Sequence, residues 1–73
     1  MAVTIHIDMK QPNPAWLHNW ANANDAFRLL WDQVIELFYL TTNGKMHGIK
    51  GHLEYYITFE NDIDCTMCIL KWA

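Results

Sequence analysis

The segment ANDAFRLLWDQVIELFYL, residues 23–40, carries the strongest helical period in the chain. Its apolar side chains recur every three or four residues and therefore share one face of a helix. These residues are Phe27, Leu30, Trp31, Val34, Leu37 and Phe38. Polar side chains fall on the opposite face. The segment is thus predicted to be an amphipathic helix that buries one apolar stripe.

Local signals indicate where the helical region begins and ends. Asn24 is the predicted N-cap, and residues 43–44, Asn-Gly, supply a stop because both tolerate the left-handed conformation. Pro14 gives a second start signal further upstream, since proline suits the first helical position. Asparagines are poor helix formers, and three of them lie between residues 19 and 24. We therefore expect a short first helix and a long second one, with a bend near residues 22–24.

Segments with a two-residue period flank the helical region. Residues 3–9, VTIHIDM, alternate strictly between apolar and polar, and residues 49–60, IKGHLEYYITFE, form the longest alternating run. Both are predicted to be half-buried strands. Residues 65–72, CTMCILKW, are apolar on both faces, which favours a third strand in a central position.

The 73 residues are enough for one small domain with a thin core. We predict a single domain over 1–73 of the α+β class. It is a two-layer βαββ fold with a largely antiparallel three-stranded sheet of order 1-3-2 and the helical region packed on one sheet face. The alternative order is 1-2-3, with the first two strands as parallel neighbours.

A single helical layer leaves the other sheet face uncovered. That open face is predicted to carry His6, His52, Tyr56, Cys68, Leu70 and Trp72. This set is too apolar for a surface that meets only water, and such patches usually mark interaction surfaces. The alternative is that the strand register is shifted by one residue and these side chains are core.

Two further tryptophans, Trp16 and Trp20, lie one helical turn apart near the prolines. They either cap one end of the core or form an aromatic anchor for a partner, because tryptophan is enriched at binding hot spots.

No pattern in the chain specifies catalysis. The sequence contains no serine, its three glycines are scattered, and none of its four histidines is paired with a nucleophile. We therefore expect a protein that is not an enzyme and that needs no cofactor.

A zinc site is the alternative function. Cys65 and Cys68 have the CxxC spacing of zinc ligands, and His47 and His52 lie upstream. In a strand, however, residues three apart point to opposite faces. The simpler interpretation is therefore that both cysteines are small buried residues.

Charge and hydropathy argue against two other partner classes. A net charge of −3 disfavours nucleic-acid binding, and no segment is long and apolar enough to span a bilayer. Tyr55, Tyr56 and Phe59 have some similarity to the aromatic strand of an RNA-binding sheet, but Glu54 and Glu60 would repel phosphate. The N-terminus lacks a secretion signal, so we expect a cytoplasmic location.

The sequence therefore favours a small non-enzymatic protein-binding module. The expected partner is another protein, which the module would inhibit or regulate, or a second copy bound through the open sheet face. Phages and other mobile elements commonly encode such domains to block a host machine, so that origin is part of the expectation.

Overall fold

The computed structural model describes residues 1–48 and 53–73. Within these residues the elements follow in this order: strand β1 (Val3–Asp8), helix α1 (Ala15–Ala23), a 3-10 turn (Ala26–Arg28), helix α2 (Trp31–Thr42), strand β2 (Lys45–Gly48), strand β3 (Glu54–Phe59) and helix α3 (Asp62–Trp72). The α+β class is confirmed: helices and an antiparallel sheet share one hydrophobic core.

The strand order β1-β3-β2 confirms the predicted 1-3-2 order, but the central strand is Glu54–Phe59 and not the predicted residues 65–72. Both outer strands run antiparallel to β3, so that Ile5 and Met46 flank Ile57 from either side. The strands themselves differ in part from the prediction. The alternating run at 49–60 supplies β3 at 54–59, while its residues 49–52 lie outside the described part of the chain. Strand β2 was not predicted, because four residues with one buried side chain, Met46, give too short a pattern.

The helical region is divided in two, as the asparagines predicted, but the second helix begins at Trp31 and not near Asn24. Asn24 is the C-cap of α1, and its side-chain amide donates to the carbonyl of Trp20 at 2.9 Å. Asp25 then adopts a left-handed conformation with φ of 55°. An asparagine that bonds the backbone competes with helical hydrogen bonds, which explains why the helix ends here. The predicted stop is confirmed, since Asn43 caps α2 with φ of 64°.

This division leaves part of the predicted apolar stripe outside any helix that could bury it. Phe27 lies in the 3-10 turn, Leu30 precedes α2, and both side chains are exposed. Phe38, further along α2, is fully buried. The helical spacing of apolar residues in the sequence therefore extends across a segment that is not part of a continuous helix and does not face the core.

The predicted C-terminal strand is wrong, because residues 62–72 form helix α3. The Oδ1 atom of Asn61 accepts a hydrogen bond from the backbone amide of Asp64 at 2.9 Å and so caps the helix. Acidic residues occupy the first turn and Lys71 the last, which suits the helix dipole. Cys65 and Cys68 lie three residues apart on the buried face of this helix.

The centre of the core lies where α1, α2 and β3 meet. Trp20 packs edge-on against Phe38 with 4.9 Å between ring centroids, and Phe38 meets Phe59 at 6.3 Å. The indole Nε1 of Trp20 donates to Thr41 Oγ1 at 3.0 Å, so this buried polar group is satisfied. Gly44 lies against both phenylalanine rings, and a Cβ atom there would approach Phe38 Cε2 to 2.5 Å. Only glycine fits this close approach.

Candidate protein-binding surface

The open face of the sheet differs in composition from the prediction. His6 and Tyr56 lie on it as predicted, whereas Cys68, Leu70 and Trp72 belong to helix α3 and are absent from it. His52 lies outside the described residues. The predicted apolar character of this face was therefore wrong, because it depended on residues that belong to a different element.

Polar pairs occupy the open face instead. His6 Nε2 and Glu54 Oε2 are 2.8 Å apart, and the rings of His6 and Tyr56 pack with centroids at 5.1 Å. The hydroxyl of Thr58 lies 3.3 Å from that of Thr4 and 3.2 Å from His47 Nε2. These side chains hydrogen-bond to one another across the strands, so the face has little apolar surface to bury against a partner.

Trp16 and Trp20 are core residues, with exposed fractions of only 9% and 1%. The structure therefore supports the interpretation that they close the core, and it leaves them little surface with which to anchor a partner.

Trp72 attaches the end of α3 to α1. Its backbone carbonyl accepts a hydrogen bond from Asn19 Nδ2 at 2.8 Å, and its half-buried ring packs against the core. The ammonium group of Lys71 lies 5.2 Å from the centroid of this ring. The indole Nε1 is buried and has no acceptor among residues 1–48 and 53–73. Replacement of Trp72 would therefore alter the fold before it altered a binding surface.

The outer face of α3 carries a regularly spaced row of exposed apolar side chains. Ile63, Met67 and Leu70 are 64% to 69% exposed, and their spacing of four and three residues places them on one helix face. We refer to these three residues as the outer stripe. The opposite face of the same helix carries the buried Cys65 and Cys68. Helix α3 thus has two apolar faces, of which the fold covers one.

Concave surfaces border the outer stripe. A groove of about 480 Å³ separates the C-terminal end of α2 from α3, with Thr42 and Asn43 on one side and Met67 and Leu70 on the other. A hollow of about 200 Å³ adjoins Ile63 and Met67. Asp64 and Lys71 line the groove as well, so charged groups flank the apolar side chains. An apolar centre with a charged rim is the usual arrangement of a protein interface.

A second exposed group surrounds the turn between α1 and α2. Phe27 and Leu30 are exposed there, and Leu40 lines a shallow hollow of about 390 Å³ with Leu29 and Leu37. The group combines a turn with one helix side and lacks the regular spacing of the outer stripe. Its side chains nevertheless give a matched comparison for experiments on the stripe.

The cysteines do not form a zinc site with His47. Burial raises the pKa of the Cys68 thiol to about 11, with a further contribution from Cys65. Burial and the charge of Asp62 also raise the pKa of Cys65. Both thiols are therefore protonated at neutral pH in the folded protein. His47 bonds Thr58 on the open sheet face, on the far side of the sheet from α3.

The described residues offer no other metal site. Within residues 1–48 and 53–73, no three side chains of the His, Cys, Asp and Glu types are grouped closely enough to hold a metal ion. His52, the remaining predicted ligand, lies outside these residues. Among the described helices, none combines the length and hydropathy that crossing a bilayer requires.

The sequence contained a signal for the outer stripe that the strand interpretation concealed. When residues 62–72 are taken as a helix, Ile63, Met67 and Leu70 fall on one face, and the Asn61 cap marks its start. No protein-family model, curated protein sequence or solved structure gives a significant match to the chain. Functional inference therefore depends on the geometry of these surfaces.

Proposed function

We propose that the chain is a small non-enzymatic protein-binding module that docks through the outer stripe of α3. The observation that supports this proposal is the apolar row of Ile63, Met67 and Leu70 on a helix whose other face is already buried. Complete burial of each such side chain contributes roughly 1.5 to 3 kcal/mol. A surface that leaves this free energy unused in the monomer is suited to a partner.

The mode of docking follows from helix geometry. A stripe with residues at positions i, i+4 and i+7 fits an apolar groove or the stripe of another helix. The groove beside α3 would accept side chains from the partner, while Asp64 and Lys71 at its rim would set the orientation. More specifically, we propose that the module inhibits or regulates a larger protein. A module that covers a functional surface blocks access to it.

The open sheet face is the weaker candidate. Its polar groups already have partners within the chain, including the His6–Glu54 and Thr4–Thr58 pairs. A protein that docked there would have to reproduce or break these bonds, with little apolar burial in return. The proposed docking surface is therefore the helix and not the sheet.

A matched pair of variants tests the proposal. Leu70→Asp and Leu40→Asp make the same substitution at side chains that are 68% and 71% exposed, and each lies two residues before the end of its helix. Tagged wild type and both variants would be exposed to lysate of the native source, with quantitative mass spectrometry of the retained proteins. We expect at least one protein, or the untagged chain itself, to be retained by wild type and Leu40→Asp and lost with Leu70→Asp.

Two results would overturn this proposal. Retention of the same proteins by all three forms would mean that the outer stripe does not bind them. Loss with Leu40→Asp alone would transfer the docking surface to the α1–α2 turn. Circular dichroism on each variant would verify that the fold is retained.

A further inference from the structure

We infer that the outer stripe binds a second copy of this chain, with the two α3 helices antiparallel across a twofold axis. This inference rests on the proposed function, because it names the partner of the same surface. Three properties of α3 support it: the symmetry of the stripe, the placement of its charges and the shape of the adjoining groove.

The stripe is complementary to itself when one copy is reversed. A twofold axis near residues 66 and 67 places Ile63 of one copy against Leu70 of the other, and brings the two Met67 side chains together at the centre. The Ile63–Leu70 contact then occurs twice and the Met67–Met67 contact once, on the axis, as a symmetric dimer interface requires. Methionine at the centre is suited to this position, because its flexible side chain fills an irregular gap.

The charges beside the stripe select the antiparallel orientation. Asp64 and Lys71 lie on the same side of α3, where both line the groove, and they are two helical turns apart. A twofold rotation reverses the direction of the helix. It leaves the charged sides of both α3 helices on the same side of the dimer interface. Asp64 of each copy therefore lies near Lys71 of the other. Neither residue forms an ion pair with another residue of the described part of its own chain.

A parallel pairing would place like charges together. The acidic first turns of both helices, with Asp62 and Asp64, would then meet at one end. Parallel helix dipoles would add to this repulsion, whereas antiparallel dipoles attract. The charge pattern of α3 thus favours one orientation of a second copy.

The groove extends the interface beyond one helix face. A stripe on an 11-residue helix is smaller than the roughly 800 Å² per partner of a standard interface. The adjoining groove of about 480 Å³ can accept side chains of the second copy against Thr42 and Asn43. We expect a dimer with a dissociation constant on the order of micromolar.

Analytical ultracentrifugation over a concentration series tests the dimer directly. We expect the wild type to change from the 8.6 kDa monomer to twice that mass as concentration rises. Leu70→Asp should weaken self-association at least 30-fold, because it places a carboxylate in the apolar contact, and Leu40→Asp should leave the association unchanged. A wild type that stays monomeric to millimolar concentration would overturn the inference, as would a dimer that Leu70→Asp leaves intact.

Charge variants test the orientation. Asp64→Lys and Lys71→Asp should each weaken self-association about 5- to 10-fold, because each brings like charges together. An equimolar mixture of the two variants should recover the wild-type affinity, since both contacts of the mixed dimer then join opposite charges. A mixture that associates no better than the single variants would contradict the antiparallel geometry. Unfolding curves would correct for the effect of Asp64→Lys on the helix start.

The two proposals can fail separately. A monomeric wild type that nevertheless captures a lysate protein through Leu70 would refute the dimer and retain the docking surface. A monomeric wild type with no Leu70-dependent capture would refute both.

Discussion

The sheet and helix α3 each bury one face in the core, but their uncovered faces are opposite in character. The open face of the sheet carries polar pairs such as His6–Glu54 and Thr4–Thr58, which bond to one another. The outer stripe of α3 carries three apolar side chains that contact solvent. An uncovered face whose polar groups are paired needs no partner, whereas an uncovered apolar face is suited to one.

The largest expected effect comes from placing a negative charge on the buried face of α3. Cys68→Asp would bury a carboxylate at a position that is 5% exposed and where burial already raises the pKa of the thiol to about 11. An uncompensated buried charge costs roughly 3 to 5 kcal/mol. We expect Cys68→Asp to lower the free energy of unfolding by this amount in urea titrations.

The control for this prediction is the neighbouring residue on the outer stripe. Met67→Asp should change the free energy of unfolding by about 0.5 kcal/mol or less, because exposed substitutions rarely cost more. Both variants would be measured at a concentration where the wild type is monomeric, since dimer formation adds apparent stability. Equal effects at the two positions would refute the assignment of inner and outer faces.

The next effect concerns the connection between α2 and β2, where Gly44 packs against the core. Gly44→Ala would bring a Cβ to 2.5 Å from Phe38 Cε2 and 2.9 Å from Phe59 Cε1. Both rings are fully buried and cannot move freely, so overpacking should cost about 1 to 3 kcal/mol. Gly48→Ala is the control, because its Cβ would lie 3.5 Å from Trp31 Nε1, an ordinary contact distance. Thermal unfolding of both variants would measure the difference.

The pH dependence of unfolding tests the burial of the Cys68 thiol on the inner face of α3. The pKa of the Cys68 thiol rises from an ordinary value of 9.0 to about 11 in the folded protein. Between these values the unfolded chain loses the proton first, so the free energy of unfolding should fall as pH rises from about 9 to 11. We expect a fall of roughly 1 to 2 kcal/mol from this group.

Cys68→Ala isolates this contribution. Tyr55 and Cys65, whose pKa values burial also raises, act in the same direction in both proteins. The variant should therefore show a shallower fall than the wild type over the same pH range. Identical slopes would indicate that the Cys68 thiol is not buried in the folded protein.

The smallest expected effect lies on the open sheet face. Glu54→Gln removes the charge opposite His6, but both side chains are partly exposed, at 39% and 46%. Such pairs contribute roughly 0 to 1 kcal/mol. We expect a change in unfolding free energy of about 0.5 kcal/mol or less, with no effect on self-association. Loss of self-association in this variant would assign the interface to the sheet and reverse the comparison.

Two strands could be predicted from the alternation of apolar and polar residues, and one helix end could be predicted from its turn residues. The alternation of residues 3–9 and 49–60 predicted two strands, which the structure has at Val3–Asp8 and Glu54–Phe59, and Asn43 predicted the end of α2. Strand β2 offered no such pattern, since its four residues bury a single side chain. The start of α2 was misplaced because the apolar spacing continued through Phe27, although Asn24 and Asp25 redirect the backbone there.

The candidate site was less predictable, for a physical reason that also underlies its proposed function. Residues 65–72 have apolar side chains on both faces, which is the pattern of a central strand when the period is read as two. As a helix, the same residues bury Cys65 and Cys68 and leave Met67 and Leu70 outside. Of the residues predicted to bind a partner, Leu70 alone belongs to the proposed surface. Apolar side chains on two faces of α3 conceal its helical period, and the outer of these two faces is not suited to water alone.

The two buried thiols of α3 give this helix a built-in chemical reporter. Cys65 and Cys68 are only 8% and 5% exposed, although Cys68 also borders the groove beside α2, so a small alkylating reagent should react with them mainly when α3 separates from its neighbours. The rate of labelling under native conditions would then give the opening free energy of this one element. A slower rate at high protein concentration would indicate that a second copy holds the helix in place, without any label or substitution in the outer stripe.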